Sequence, residues 1–323
     1  MNAPADLATL AGELRDQLPG ATTEQAPFSE LSTYRIGGPV AVLVRVRSVD
    51  GLATVAETAR RHQPRLLVTG RGSNLLMSDA GFSGLVVLLE GDFEAVRLPE
   101  RDHGDDDAGP LVRAGGAVPL PVLARRAAAG GLSGLEFFVG IPGSVGGAVR
   151  MNAGGHGRET VEVLRRAFVI DLLDRAAASV PDARDVAGLD LGYRCSNLRT
   201  SEVVTEAEFS VTADDPAACE ERLAEIVRWR RENQPGGQNA GSVFRNPPGD
   251  SAGRLIEAAG LKGLRVGGAV VSDKHANFFQ AEPGATARDV RDLVSEVQRR
   301  VAAATGVRLE PELHVVGDDA EET

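Results

Sequence analysis

Apolar residues recur at helical spacing at Leu7, Leu10, Leu14 and Leu18, which predicts a short amphipathic helix near the start of the chain. The β-branched run Val40–Val46 predicts a strand, Ser48–His62 a helix, and Arg65–Thr69 a second strand ending at Gly70. Further short strands are predicted at Leu85–Leu89, Leu111–Arg113 and Ala167–Leu172, with a helix over Val122–Ala129. Short strands alternating with helices indicate an α/β or α+β architecture. The rhythm then changes. Ala218–Asn233 is a periodic, arginine-rich helix stopped by Pro235–Gly237, and Thr286 and Asp289 have the spacing of a capping box opening a helix that runs to about Ala304. Val307–Val316 alternates, with Leu309, Pro311, Leu313 and Val315 on one face and Arg308, Glu310, Glu312 and His314 on the other. A domain boundary is expected near Val211–Pro216.

Composition narrows the function classes. A chain of 323 residues suggests about two domains. The formal net charge is −11 and aromatics are 4%, so nucleic acid and anionic lipid are unfavourable partners. Cys195 and Cys219 cannot build a disulfide framework, and no Cys/His pattern has metal-ligand spacing, so no metal is expected. The N-terminal segment carries acidic residues and lacks an apolar h-region, and no apolar run is long enough to span a bilayer. These features point to a soluble cytoplasmic protein. Pro99–Pro110 reads as an acidic surface loop and Gly317–Thr323 as a solvated acidic tail.

Glycine is where chemistry first shows. Gly70-Arg71-Gly72-Ser73-Asn74 follows a predicted strand, but Leu75 occupies the sixth position, so a dinucleotide G-x-G-x-x-G is not completed. A structural turn explains the run equally well. Gly140–Gly147 is denser and is followed by Met151-Asn152-Ala153-Gly154-Gly155. Glycines let backbone amides converge on an anion, and two such loops with Ser and Asn donors favour a pyrophosphate-bearing cofactor. Ser242, within Asn239–Pro247, is either a turn hydroxyl or a proton donor; no histidine is placed to make it an acyl nucleophile, and G-x-S-x-G is absent there. Lys262 and Lys274 are the only lysines, an economy that suits an ammonium set against a phosphate but also arises by chance. Arg194, after Tyr193, is an ordinary surface arginine or a stabiliser of a developing oxyanion.

Taken in register, Ser32–Pro39 (STYRIGGP), GRGSNLL from Gly70, LSGLEFFVGIPGSVGGAVRMNAGG from Leu132, LGYRCS, AGSVFRNP, SAGRLIEAAGLKGLRVGGAVVSDKHANF and TGVRLEPEL closely resemble the UDP-N-acetylenolpyruvoylglucosamine reductase (MurB) family over about Phe28 to Val316. The resemblance implies an α+β fold. Residues 1–27 would be an N-terminal helical segment and 28–213 an FAD-binding domain of the PCMH, vanillyl-alcohol-oxidase-like type. Residues 214–317 would form an α+β substrate-binding domain, with 318–323 an acidic tail. It implies non-covalent FAD, NADPH as co-substrate, and reduction of the enolpyruvyl ether of UDP-N-acetylglucosamine to UDP-N-acetylmuramate in cytoplasmic peptidoglycan synthesis. The partners would be these small molecules, and the protein a monomer.

By the same resemblance Gly70, Arg71, Gly72, Ser73, Asn74, Ile141, Pro142, Gly143, Ser144, Gly146, Gly147 and Asn152 contact FAD. Arg194 and Glu312 meet the charge of an enolate formed by hydride addition, Glu312 being protonated or acting through water. Ser242 protonates the alpha carbon, and Tyr193, Asn246 and Lys262 bind substrate. Alternation puts Glu310 and Glu312 on one face and cannot choose between them; the resemblance selects Glu312. Cys195 and Asn233 fall where relatives vary, and His156 where relatives often have tyrosine; His156 is read as a loop residue rather than a covalent flavin attachment. It lacks an insertion after Tyr193-Arg194, as in the shorter branch of the family. Two rivals remain: a flavin oxidase on the same fold, with no need of Ser242, and a non-catalytic flavin or UDP-sugar binder in which Arg194, Ser242 and Glu312 would be dispensable.

Overall fold

Helix starts are set by side chains the sequence displays. Ser48 accepts the Gly51 amide at 3.1 Å and opens the helix Val49–His62, whose last turn carries Arg60, Arg61 and His62 against the helix dipole. Thr286 and Asp289 form the reciprocal box expected of them, and the helix Ala287–Thr305 closes on Gly306 at φ +75°. Asp79 adds a second cap to the same helix, accepting the amides of Ala287 and Arg288, both at 2.9 Å. Lys274 donates its Nζ to the Arg231 carbonyl near the end of the helix Pro216–Asn233, which gives that lysine a structural task. The computed structural model describes residues 6–99, 109–175 and 180–319, so most of the expected acidic loop and the end of the acidic tail lie outside the described residues.

Two larger sheets organise the strands. One runs in the order Thr22–Pro27, Pro39–Val46, Phe82–Leu89, Leu66–Thr69. The other runs Asp182–Asp185, Leu164–Asp171, Glu202–Ser210, Leu111–Gly115, Val96–Arg97. Its central strand, Glu202–Ser210, escaped the hydrophobic pattern for a physical reason: the strand buries Glu202, Thr205 and Glu208 among its apolar residues. Those carboxylates are tolerated because arginines meet them. Glu208 accepts from Arg113 Nε at 2.6 Å and pairs with Arg166, and Glu202 accepts from Arg184 Nη2 at 2.7 Å.

The expected strand over Val307–Val316 is a correction. Only His314–Val316 is a strand, paired parallel with Leu75–Met77. Leu309 and Leu313 are buried as alternation requires, but Pro311 is exposed and makes an isolated bridge to Phe244. Proline has no amide to donate to a ladder, which interrupts the strand there.

Contacts divide the chain into two units. The first comprises residues 1–24, 42–70 and 84–229, and the second 25–41, 71–83 and 230–323. The second is thus discontinuous, and the helix Pro216–Asn233 stays with the first unit as far as Trp229, beyond the boundary expected near Val211–Pro216. Each unit has its own apolar core. Phe138 meets Phe209 edge-on at 5.6 Å in the first, and Phe244 meets Phe279 at 5.8 Å in the second.

Candidate functional site

In the first unit, Gly70 lies directly against Ser144: a Cβ on Gly70 would sit 2.3 Å from the Ser144 Oγ. Gly70, the first residue of one glycine-rich run, therefore meets the other run here, with no room for a side chain at Gly70. Ser144 is buried and its hydroxyl accepts from Gly147 N, while Gly146 N donates to the Gly116 carbonyl at 2.8 Å. The Ile141 amide is spent on Phe138 O, and Pro142 has none, so these two offer a ligand only carbonyl and apolar surface. Among the described residues, no backbone amide of residues 70–74 donates a hydrogen bond within the protein, and Arg71 is exposed. Gly72, in the second unit, has φ +55° and would place a Cβ 2.3 Å from the Leu31 carbonyl. The buried Thr69 hydroxyl, one residue before Gly70, has no hydrogen-bond partner. Within the first unit, the close approach of Gly70 to Ser144, which leaves no space for a Cβ, and the orphaned Thr69 hydroxyl suit a phosphate-bearing cofactor.

Arg194 is the most tightly constructed of the expected residues. Gly192 and Cys195 exchange backbone hydrogen bonds at 3.1 and 3.3 Å, making Tyr193-Arg194 a two-residue turn. Arg194 occupies its second position at φ +58°, a conformation that costs a non-glycine residue roughly 1–2 kcal/mol. A second tight turn faces it. His156 and Gly157, at φ +54° and +77°, join the paired residues Gly155 and Arg158, as a type I′ hairpin requires. That hairpin delivers Glu159, whose Oε1 accepts from Arg194 Nη1 at 3.1 Å. The guanidinium also reaches the carbonyls of Asn152 at 3.4 Å and Gly154 at 3.3 Å, and lies 4.9 Å from the Tyr193 ring centroid.

Asn152 ties this arrangement together. Its amide nitrogen donates to Glu159 Oε2 and to Gly192 O, both at 3.0 Å, and its Oδ1 accepts from Val161 N at 2.9 Å. Its side chain is thus committed to the protein, and it sits buried at φ +39°. Sequence reasoning named Asn152 and Arg194 but missed Glu159. The available signal was His156-Gly157, a turn pair immediately before it.

Ser242 and Glu312 belong to the second unit. Ser242 follows Gly241, at φ +76°, and bridges Phe278; Val243 O accepts from Glu312 N at 2.8 Å. The two segments are therefore backbone neighbours. Buried Asn277 clamps the first, accepting from Phe244 N at 3.0 Å and donating to Phe244 O at 2.8 Å. Asn74 secures the second: its Nδ2 donates to Glu312 O at 3.1 Å and its carbonyl accepts from His314 N at 3.1 Å. Glu312 is half-buried where Glu310 is exposed.

The remaining expected residues serve local roles in this structure. Asn246 Oδ1 accepts from Ala252 N at 3.0 Å, and Lys262 Nζ pairs with Glu257 at 2.7 Å, both on the helix Ala252–Ala258. Tyr193 is exposed. A cavity of about 710 Å³ in the first unit, lined by Glu136, His156, Arg158, Glu162, Arg222 and Glu225 among others, includes none of the expected site residues. Its arginines are already paired, Arg222 with Glu136 at 2.9 Å and Arg158 with Glu162 at 3.2 Å. Among the described residues, no cluster of His, Cys, Asp or Glu could hold a metal ion, and no helix is long and apolar enough to cross a membrane.

Residues 233–316 match the family "UDP-N-acetylenolpyruvoylglucosamine reductase, C-terminal domain", and residues 40–172 match the FAD binding domain family. The chain is 40% identical to UDP-N-acetylenolpyruvoylglucosamine reductase 2 of Symbiobacterium thermophilum, over 96% of this chain and 98% of that protein. It is 41% identical to the reductase of the same name from Rubrobacter xylanophilus, over 95% of this chain and 99% of the other. The crystal structure of the Thermus caldophilus reductase superposes with a TM-score of 0.75 at 35% identity, covering 91% of this chain and 97% of that one. The fold is accordingly α+β, an FAD-binding domain of PCMH type with a MurB-type C-terminal domain, and FAD is the cofactor.

Proposed function

The chain belongs to the UDP-N-acetylenolpyruvoylglucosamine reductase family, and on that premise we propose that it reduces UDP-N-acetyl-3-O-(1-carboxyvinyl)-glucosamine to UDP-N-acetylmuramate at the expense of NADPH, in cytoplasmic peptidoglycan precursor synthesis. Bound FAD would supply the redox chemistry, hydride transfer between NADPH and the vinyl ether. The loops of Gly70–Asn74 and Ile141–Gly147 would hold it, with Asn152 organising the Gly192 turn in the first unit. The observation that carries the reading is the fixed Arg194: a permanently charged, planar donor held in a strained turn by a carboxylate and two carbonyls.

The substrate carboxylate becomes enolate-like when the vinyl group gains a hydride, and its negative charge rises. A guanidinium already fixed in orientation stabilises such a charge in the transition state without reorganising, an effect of roughly 3–4 kcal/mol for one such donor. Ser242 Oγ delivers the proton to the alpha carbon, and Glu312, half-buried beside the Ser242 segment in the chain's hydrogen bonding, meets the same charge as a protonated acid or through water. Tyr193, Asn246 and Lys262 bind the sugar nucleotide, Lys262 exchanging Glu257 for its diphosphate.

Substituting Ser242→Ala tests the assignment. Product formation falls by about 10²–10⁴-fold while NADPH still reduces the flavin. Normal turnover of that variant would remove Ser242 as proton donor.

A further inference from the structure

Glu159 has no place in the chemistry described above, yet it anchors the residue that does. We propose that Glu159 is a positioning residue for Arg194: its carboxylate fixes the guanidinium where the reaction needs it, and Asn152 fixes the carboxylate. The inference rests on the role given to Arg194 in the proposed reaction.

Three observations converge on it. The two oxygens of Glu159 are divided between different donors, Oε1 to Arg194 Nη1 at 3.1 Å and Oε2 to Asn152 Nδ2 at 3.0 Å. Asn152 sends its other amide proton to Gly192 O at 3.0 Å, so one side chain braces both the carboxylate and the turn that carries the arginine. Asn152 and Arg194 also both adopt left-handed backbone, and such strain persists only where the surroundings over-determine it. Gly154 completes the fit, since a Cβ there would lie 2.9 Å from Glu159 Cγ and 3.1 Å from Arg194 Nη1.

The Arg194 side chain is mostly covered, with 17% relative exposure, while Glu159 keeps 31%. Left alone, a long arginine samples many rotamers. With Nη1 tethered to Glu159 and the Asn152 carbonyl and Nη2 to the Gly154 carbonyl, it keeps one orientation, and a misplacement of about 1 Å costs on the order of 10²-fold in rate. The carboxylate also offsets part of the arginine's charge, which tempers its hold on the substrate carboxylate before reaction and leaves it to strengthen as charge develops.

Glu159 has a purely structural duty as well. It forms a capping box with Glu162, whose Oε1 accepts the Glu159 amide at 2.7 Å. Glu162→Ala breaks that box without touching Arg194 and is the control.

The experiment follows the two half-reactions separately by stopped flow on the FAD-loaded enzyme: flavin reduction by NADPH, then reoxidation by the enolpyruvyl sugar nucleotide. Glu159→Ala should slow reoxidation by about 10²-fold and leave reduction within about twofold. Glu159→Gln, which keeps an acceptor for Arg194, should regain about tenfold of that loss, with a KM for the sugar nucleotide no higher than the parent's because the arginine's charge is no longer offset. Glu162→Ala should stay within about twofold in both steps. The double variant Glu159→Ala/Arg194→Met should be no slower than Arg194→Met alone, because the two residues act as one unit.

Equal losses in Glu159→Ala and Glu162→Ala would reduce Glu159 to a cap and overturn the proposal, as would losses that multiply in the double variant. If Glu159→Ala does not fold, Glu159→Gln decides the matter: parallel losses in both half-reactions, or none, overturn it. Unimpaired reoxidation in Arg194→Met would instead refute the role of Arg194 itself, and the positioning of Glu159 with it. Impaired Arg194→Met beside unimpaired Glu159→Ala would refute the positioning alone.

Discussion

Arg194 and Ser242 are held in place at different points. Arg194 is gripped at the far end of its side chain: the Glu159 carboxylate and the carbonyls of Asn152 and Gly154 hold the guanidinium, Asn152 braces its turn, and the backbone itself is strained at Asn152, His156 and Arg194. At Ser242 the restraints act on the backbone of its segment, with Val243 O receiving Glu312 N and the Asn277 side chain spanning the amide and carbonyl of Phe244. An arginine must aim a distant fork, so its aim needs external braces. A serine hydroxyl sits one bond from Cβ, so placing its backbone places the proton. The two constructions should therefore fail differently.

The largest effect is expected at Asn277. Asn277→Ala strands the Phe244 amide and carbonyl in a buried setting, at about 1–3 kcal/mol for each group. A fall in the denaturation midpoint, together with loss of turnover in the protein that still folds, is the expected outcome; unchanged stability would mean that the Ser242 segment is held by something else.

Gly154→Ala attacks the other construction. The new Cβ would meet Arg158 O at 2.7 Å and Glu159 Cγ at 2.9 Å, and the overpacking should cost about 1–3 kcal/mol. Here the sharper expectation is kinetic, with flavin reoxidation slowed more than flavin reduction. Equal slowing of both steps would show that the strained turns serve stability alone.

Acid should distinguish the two units with a smaller effect. Among the described residues the buried carboxylates Glu136, Asp171, Glu202 and Glu208 all belong to the first unit. Burial pushes the Glu208 carboxyl up, but hydrogen bonds and charge from Arg166 and Arg113 outweigh it and leave the group below the usual carboxylate range. Asp171 is likewise lowered, burial being overcome by the Leu173 and Asp174 amides, Ser201 and Arg199. Carboxyls depressed on folding contribute stability that is present above their unfolded values, near pH 4, and lost as pH falls through the folded ones. Trp229, the single tryptophan and the last residue of the first unit, should report this loss by fluorescence. Glu208→Gln should lower stability at neutral pH by about 1–3 kcal/mol and flatten the acid limb. An unchanged acid limb would exclude Glu208 from it.

The same contrast explains what could be read from the sequence. Capping residues Ser48, Thr286 and Asp289 act within one turn of themselves, so their helices were legible, as was the joining of the Gly70 run to the strand Leu66–Thr69. The strand Glu202–Ser210 was not, because its buried carboxylates look polar until Arg113, Arg166 and Arg184 are brought to them from other strands. Pro311 broke an alternation that the flanking Leu309 and Leu313 obey. At the candidate site, motif resemblance supplied Arg194, Ser242 and Glu312, whereas Glu159 depended on a contact across 35 residues with Arg194 that no local pattern encodes. Lys274 turned out to end a helix, a partnership with Arg231 that spacing alone does not announce.

The most direct test of the proposed reaction is an anaerobic absorbance titration of the purified, FAD-loaded protein. NADPH should bleach the flavin band near about 450 nm, and the enolpyruvyl sugar nucleotide should then restore it stoichiometrically in the absence of oxygen. Bleaching without recovery on adding that substrate would contradict the reduction proposed for this chain.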